Sequence, residues 1–127
     1  MTDPVGQRRR DLVSDVSACS SGPLLSLQVA SSEGRSIVEL TGEIDGYSAP
    51  RLRRCLRALT DAGDRRIVLD FKGIKFIDSA GLGVLIGATK CLSERSGELV
   101  VTRPRPQAAK LLEMTGVDTV LTVQKET

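Results

Sequence analysis

The 127-residue sequence contains no histidine. That single absence removes Ser-His and Cys-His nucleophile pairs, histidine metal ligands and phosphohistidine relays, because each needs an imidazole that titrates or ligates near neutral pH. Long apolar runs are missing too: the longest, Ala80–Ala88, falls far short of the ~20 residues that span a bilayer. No positively charged start leads into an apolar segment, so no membrane contact and a cytoplasmic location are expected. The 18 Lys and Arg are scattered and nearly cancelled by 16 Asp and Glu, a net charge of +2 that supplies no basic stripe for nucleic acid. Cys19, Cys55 and Cys91 are evenly spaced, but their flanks share nothing and no CxxC occurs, so neither a repeat, a zinc site nor a disulfide framework is read. Three free thiols are expected in a reducing compartment, with no redox role assigned.

What is present reads as one domain with a single core. Residues 1–23 show no periodic apolar pattern and are rich in serine, and Arg8-Arg9-Arg10 is offset by Asp3, Asp11 and Asp15. A disordered N-terminal tail is expected there, with the folded domain occupying 24–127. Residues 24–30 alternate apolar and polar, 31–34 (SSEG) offer a turn, and Ile37, Leu40 and Ile44 continue the alternation, which predicts a β-hairpin. The segment 42–46 (GEIDG) ends the second strand, and Ser48 before Ala49-Pro50 predicts a helix with Ser48 as its cap. In that helix Leu52, Leu56 and Leu59 form the apolar stripe with Cys55 at its edge. Arg51, Arg53, Arg54 and Arg57 cover the rest, as a solvated face or as a surface for an acidic partner.

Residues 67–71 form a near-continuous apolar run, expected of a central strand covered on both faces. Residues 72–77 read as a connection, with Phe76 and Ile77 tucked beneath a helix over 79–95. A strand over 98–102, a helix over 107–115 with Leu111, Leu112 and Met114 on it, and a strand over 117–123 complete the order ββαβαβαβ. Strands joined by helices require parallel, right-handed crossovers, and the hairpin adds an antiparallel edge. The prediction is an α/β fold with a mixed sheet of about five strands and three to four helices.

The stretch 67–88, IVLDFKGIKFIDSAGLGVLIGA, carries the functional question. At about 100° per residue the helix places Leu82, Leu85, Ile86, Thr89, Leu92 and Ser93 on one stripe, expected to face the core. Ala80, Val84, Gly87, Ala88 and Cys91 lie opposite, small or apolar where a solvated helix carries Lys and Glu. That bare face is either a docking surface or is covered by another helix of the domain; if it docks a partner, Val84→Arg blocks binding without unfolding. Asp78 and Ser79 are both able to cap the helix. If Asp78 caps, Ser79 is free to be modified, and a phosphate there would sit at the positive end of the helix. Three resemblances fail. Gly81, Gly83 and Gly87 imitate a dinucleotide fingerprint but follow a nine-residue connection; Thr89-Lys90 lacks a P-loop ending; Asp78-Ser79 lacks a base and an oxyanion partner. No enzyme activity and no cofactor are expected.

Phe76-Ile77-Asp78-Ser79-Ala80-Gly81-Leu82-Gly83-Val84-Leu85, with Ile67–Phe71 before it and Gly42-Glu43-Ile44-Asp45 and Ser48-Ala49 upstream, resembles the STAS domain of bacterial anti-sigma factor antagonists, the SpoIIAA-like and RsbV-like family. The resemblance covers about residues 24–123, including Met114-Thr115-Gly116-Val117. It implies the STAS fold and a partner switch. The unphosphorylated antagonist binds an anti-sigma factor that is also a GHKL-type serine kinase, freeing a sigma factor. Phosphorylation of the serine matching Ser79 ends the interaction, and a PP2C-type phosphatase restores it. ATP and Mg²⁺ belong to the kinase. The implied partner surface carries over to Asp45, Asp78, Ser79, Gly81, Leu82 and Val84, with Ala80 departing from the second Ser or Thr often found there. The alternative the resemblance leaves open is a non-phosphorylated STAS adaptor in a transport system or stress-signalling complex.

Overall fold

The computed structural model describes residues 25–124; the expected tail over 1–23, with Cys19, lies outside them. Strands β1 (Leu25–Ser32) and β2 (Arg35–Ile44) pair antiparallel from Leu25↔Gly42 to Ser32↔Arg35. Their turn is Glu33-Gly34 alone, with φ of 48° and 78°. Two consecutive positive φ angles give the turn whose twist matches a tight hairpin, so Ser31 and Ser32 belong to the strand and not to the turn.

Beyond β2 the chain alternates: α1 (Ala49–Asp61), β3 (Arg66–Ile77), α2 (Ser79–Ser93), β4 (Glu98–Thr102), α3 (Pro106–Thr115) and β5 (Thr122–Gln124). The sheet order is β1-β2-β3-β4-β5, parallel from β2 onward, so β3 is central and the ββαβαβαβ order holds. Each crossover advances one place in the same direction, and with right-handed crossovers that puts α1, α2 and α3 on one face of the sheet. One apolar cluster joins that face to them: Leu27, Val38, Leu40, Ile67, Leu69 and Val101 from the strands meet Leu52, Leu56 and Leu59 of α1, Leu82, Leu85 and Leu92 of α2, and Leu112 of α3. Cys55 is wholly buried in this cluster and not at its edge.

The main departure from the sequence reading is residues 72–77, which are strand and not connection. They pair with a lengthened β2 through Thr41↔Gly73, Gly42↔Ile74, Glu43↔Phe76 and Ile44↔Ile77, past two register shifts. Such irregularities bend a strand and locally tighten its backbone contacts. Gly73 is where this matters, since a Cβ there would lie 2.7 Å from the Leu40 carbonyl oxygen. β4 pairs only with Arg66–Asp70, so among the described residues the far half of β3 has no strand on that side. Side chains substitute for one. Arg105 Nε donates to the Lys72 carbonyl at 2.9 Å. The Gln107 amide accepts from Ile77 N and donates to Ile77 O, both at 3.2 Å.

Smaller corrections follow from exposure. Ile77 is buried as expected, but Phe76 is exposed, because the irregular ladder turns it outward. On α3 Leu112 is buried and Met114 exposed. The final strand is only Thr122–Gln124; Val117–Thr119 form a 3-10 turn that buries Val117. α2 stops at Ser93 and not at residue 95.

Candidate functional site

β2 and β3 end side by side at Ile44↔Ile77, and the Asp78 amide continues the ladder by donating to the Ile44 carbonyl at 3.1 Å. Asp45 and Asp78 are therefore the first residues past two strand ends about 5 Å apart. Asp78 is extended (φ −116°, ψ −169°), and its Oδ1 accepts from the amides of Ala80 at 2.9 Å and Gly81 at 3.3 Å. Its carbonyl accepts the first helical bond, from Leu82 N at 3.0 Å. Asp78 is thus the cap of α2. Ser79 is the first helical residue and is exposed, and Ala80 behind it is half-buried.

At the neighbouring strand end Asp45 folds over its own turn. Its Oδ1 accepts from Tyr47 N at 3.0 Å and Ser48 N at 3.1 Å. The Ser48 amide holds this carboxyl below the usual carboxylate range; partial desolvation opposes it, and the Tyr47 amide and Ser48 hydroxyl add to the lowering. Ser48 is buried and stands at the start of α1, but it does not cap that helix. Its backbone is already helical (φ −90°, ψ −22°), and its Oγ turns back to donate to Glu43 O at 2.8 Å and accept from Asp45 N at 2.9 Å. The hydroxyl locks the loop that carries Asp45. Tyr47, at 82% exposed, projects from that loop; the sequence reading missed it, since one aromatic in a turn has no periodic signal.

The phase of α2 differs from expectation. Gly81, Leu82, Val84, Leu85 and Leu92 are buried, while Ile86 is 43% exposed and Ser93 is exposed. The helix lies against two surfaces, the sheet below and α1 beside it, and so its buried arc widens toward Val84 and Ala88. Of the two readings of the bare face, cover by another helix holds for Val84, which is only 4% exposed. Gly81, Leu82 and Val84, expected on a partner surface, are all buried. What stays open between α1 and α2 is a groove of about 370 Å³, lined by Arg53, Leu56 and Arg57 on one side and Gly83, Val84, Gly87, Ala88 and Cys91 on the other. Cys91 is half-buried, and neither it nor Cys55 is in a disulfide.

With β3 reaching Ile77, only Asp78 separates strand from helix, so the length of a connection does not dismiss a dinucleotide fingerprint. Position does. Gly81, Gly83 and Gly87 all lie inside α2, not in the strand-to-helix turn where a pyrophosphate would be cradled. Among the described residues no helix is long and apolar enough to cross a membrane.

The STAS domain profile matches residues 26–127. The anti-sigma F factor antagonist of Paenibacillus polymyxa is 31% identical over 100 residues, which are 78% of this chain and 86% of that protein. Among solved structures, an anti-sigma factor antagonist from Mycobacterium paratuberculosis superposes with a TM-score of 0.74 at 26% identity, over 84% of this chain and 91% of that one. The anti-sigma factor antagonist SpoIIAA in its unphosphorylated form shares the fold with a TM-score of 0.69 at 21% identity, over 80% of this chain and 90% of that one; the Bacillus cell fate determinant SpoIIAA in its phosphorylated form shares it with a TM-score of 0.64 at 21% identity, over 80% of this chain and 93% of that one. This chain belongs to the STAS-domain family of anti-sigma factor antagonists.

Proposed function

We propose that this protein is an anti-sigma factor antagonist switched at Ser79. Unphosphorylated, it binds an anti-sigma factor of the GHKL serine-kinase type and so releases a sigma factor; phosphorylation of Ser79 by that partner ends the interaction, and a PP2C-type phosphatase restores it. The observation that carries this reading is the division of labour at the start of α2. Asp78 supplies the cap, so the exposed hydroxyl of Ser79 has no structural duty there.

The proposed contact surface is the edge where β2 and β3 end: Asp45, Asp78, Ser79 and Ala80, with Tyr47 and Phe76 as exposed large side chains beside them. Exposed aromatics next to a polar centre are the usual anchors of a protein interface. A phosphate on Ser79 adds a charge of about −2 at the positive end of α2, so the fold tolerates it. It also adds that charge directly after Asp78, on the edge where the strand ends carrying Asp45 and Asp78 lie side by side, so any partner matched to the unmodified edge meets both bulk and repulsion.

The test is intact mass after incubation with the candidate anti-sigma kinase and ATP, with the modified residue mapped, followed by pull-down of that kinase. Wild type should gain one phosphate at Ser79; Ser79→Ala should gain none and keep binding; Ser79→Asp should bind at least about tenfold more weakly, a loss of ~1.4 kcal/mol. An acidic variant that binds as well as wild type rules out the switch.

A further inference from the structure

In a parallel sheet each residue of a strand turns its N–H and C=O toward the same neighbour, and successive residues alternate between the two sides. The Asp78 amide reaches the Ile44 carbonyl of β2. Ile77, one residue earlier, therefore presents both of its groups on the opposite side, where β4 pairs no further than Asp70. One side chain meets both. Gln107, in the first turn of α3, accepts from Ile77 N and donates to Ile77 O, each at 3.2 Å. A primary amide carries acceptor and donor on one planar group, the pattern an adjoining strand would offer. Its effect reaches further than Ile77. The Ile77 carbonyl and the Asp78 N–H belong to one planar peptide unit, so Gln107 on one side and Ile44 on the other hold that plane by both edges. From it, only the φ and ψ of Asp78 lead to the peptide that carries Ser79, and the bonds from Ala80 N and Gly81 N to the Asp78 carboxylate restrain those two angles.

We propose that Gln107 is a positioning residue for Ser79. From a different helix it fixes the peptide plane on which Asp78 and the start of α2 are built, and with it the direction in which the Ser79 hydroxyl is offered for modification. The proposal rests on the reading of Ser79 as the switch. Arg105, two residues earlier, supplies the contrast. Its Nε donates to the Lys72 carbonyl at 2.9 Å, on the same side of β3 but near the beginning of the extension, so it braces the strand without holding the helix start.

The experiment compares Gln107→Met with Arg105→Met in the full chain. Methionine matches glutamine in length and helix propensity but has neither the N–H nor the carbonyl. Both positions are exposed, so neither variant opens the core. Phosphorylation by the candidate anti-sigma kinase and ATP is followed at Ser79 by mass. For Gln107→Met, kcat should fall about tenfold with KM within about twofold, because orientation of the reacting hydroxyl is lost while docking is kept. Arg105→Met should keep the wild-type kcat. Amide hydrogen exchange needs no kinase and reads the same helix start through Asp78 N, bonded to Ile44 O, and Leu82 N, bonded to Asp78 O. Exchange at both should quicken at least about fivefold in Gln107→Met and stay unchanged in Arg105→Met. Wild-type exchange at those amides in Gln107→Met overturns the proposal. So does an unchanged kcat, or an equal loss in both variants, which would make Gln107 a brace and nothing more. A wild-type chain that takes no phosphate at Ser79 overturns the switch instead, and the exchange comparison then still decides whether Gln107 sets that helix start.

Discussion

Three glycines in one helix allow the same substitution to be predicted with opposite signs. Gly81, Gly83 and Gly87 all lie within α2, where replacing Gly by Ala gains roughly 0.8–1 kcal/mol of helix stability if nothing obstructs the new methyl. At Gly83 and Gly87 nothing lies within 4 Å of an added Cβ. Each alanine there should stabilise by about 1 kcal/mol, raising the melting temperature by roughly 3–6 °C for a domain of this size. At Gly81 the added Cβ would sit 2.6 Å from Ile77 Cγ1 and 2.7 Å from Ile44 Cγ2. Carbon atoms prefer about 3.5–4.0 Å, so two fully buried isoleucines would have to give by nearly 1 Å each. Overpacking of that kind costs about 1–3 kcal/mol, so Gly81→Ala should come out neutral to about 2 kcal/mol less stable. Urea midpoints of the three variants are the assay. Gly83→Ala should also weaken binding of the anti-sigma partner if the groove between α1 and α2 takes part in docking. A Gly81→Ala protein more stable than wild type, or a Gly83→Ala protein less stable, contradicts the packing described. A stabilised Gly83→Ala protein with unchanged affinity removes the groove from the interface.

The remaining predictions concern the same edge. Asp78→Ala should cost about 1–2 kcal/mol through loss of the cap, whereas Ser79→Ala should stay within ~0.5 kcal/mol; the reverse order in denaturant titrations would make Ser79 the cap. Val84→Arg should lower stability by at least about 3 kcal/mol, since it buries an unpaired charge against Leu56; a variant that melts like wild type would put Val84 back on an open docking face. For Asp45 the folded-state pKa lies below the unfolded one, so its contribution is fully present above about pH 4 and is lost as pH falls through the depressed folded value. An NMR titration of its carboxyl should show that depressed midpoint, and a midpoint at or above the ordinary carboxylate value refutes the hydrogen-bonded turn.

Most of the fold was legible because its signals are local and periodic. Alternation announced β1 and β2, the leucine stripe announced α1, and a single Asp in an apolar run marked the central strand. The cap of α2 was narrowed to Asp78 or Ser79 for the same reason, since capping is settled within three residues, and the extended backbone and accepting carboxylate of Asp78 decide between them. What escaped was non-local. Residues 72–77 have little strand pattern of their own and are strand because β2 bends alongside them and Arg105 and Gln107 close their other side; no local window contains those partners. The phase of α2 escaped because projection onto one plane assumes one buried side, whereas this helix rests on the sheet and on α1. Tyr47 escaped because exposure of a single turn residue depends on the loop locked by Ser48 and Asp45.

The extension of β3 to Ile77 has a consequence for any enzyme that modifies Ser79. With only Asp78 between the central strand and the helix, the hydroxyl is held on ordered backbone that is bonded to β2 and clamped by Gln107. It cannot be drawn out as an extended peptide into a kinase cleft without dismantling the middle of the sheet. Recognition must therefore read the shape of the assembled domain, and a synthetic peptide spanning 74–86 should be a poor substitute for the whole protein. Selectivity among sister signalling circuits would then reside in surface form, with the short linear sequence around the serine contributing little.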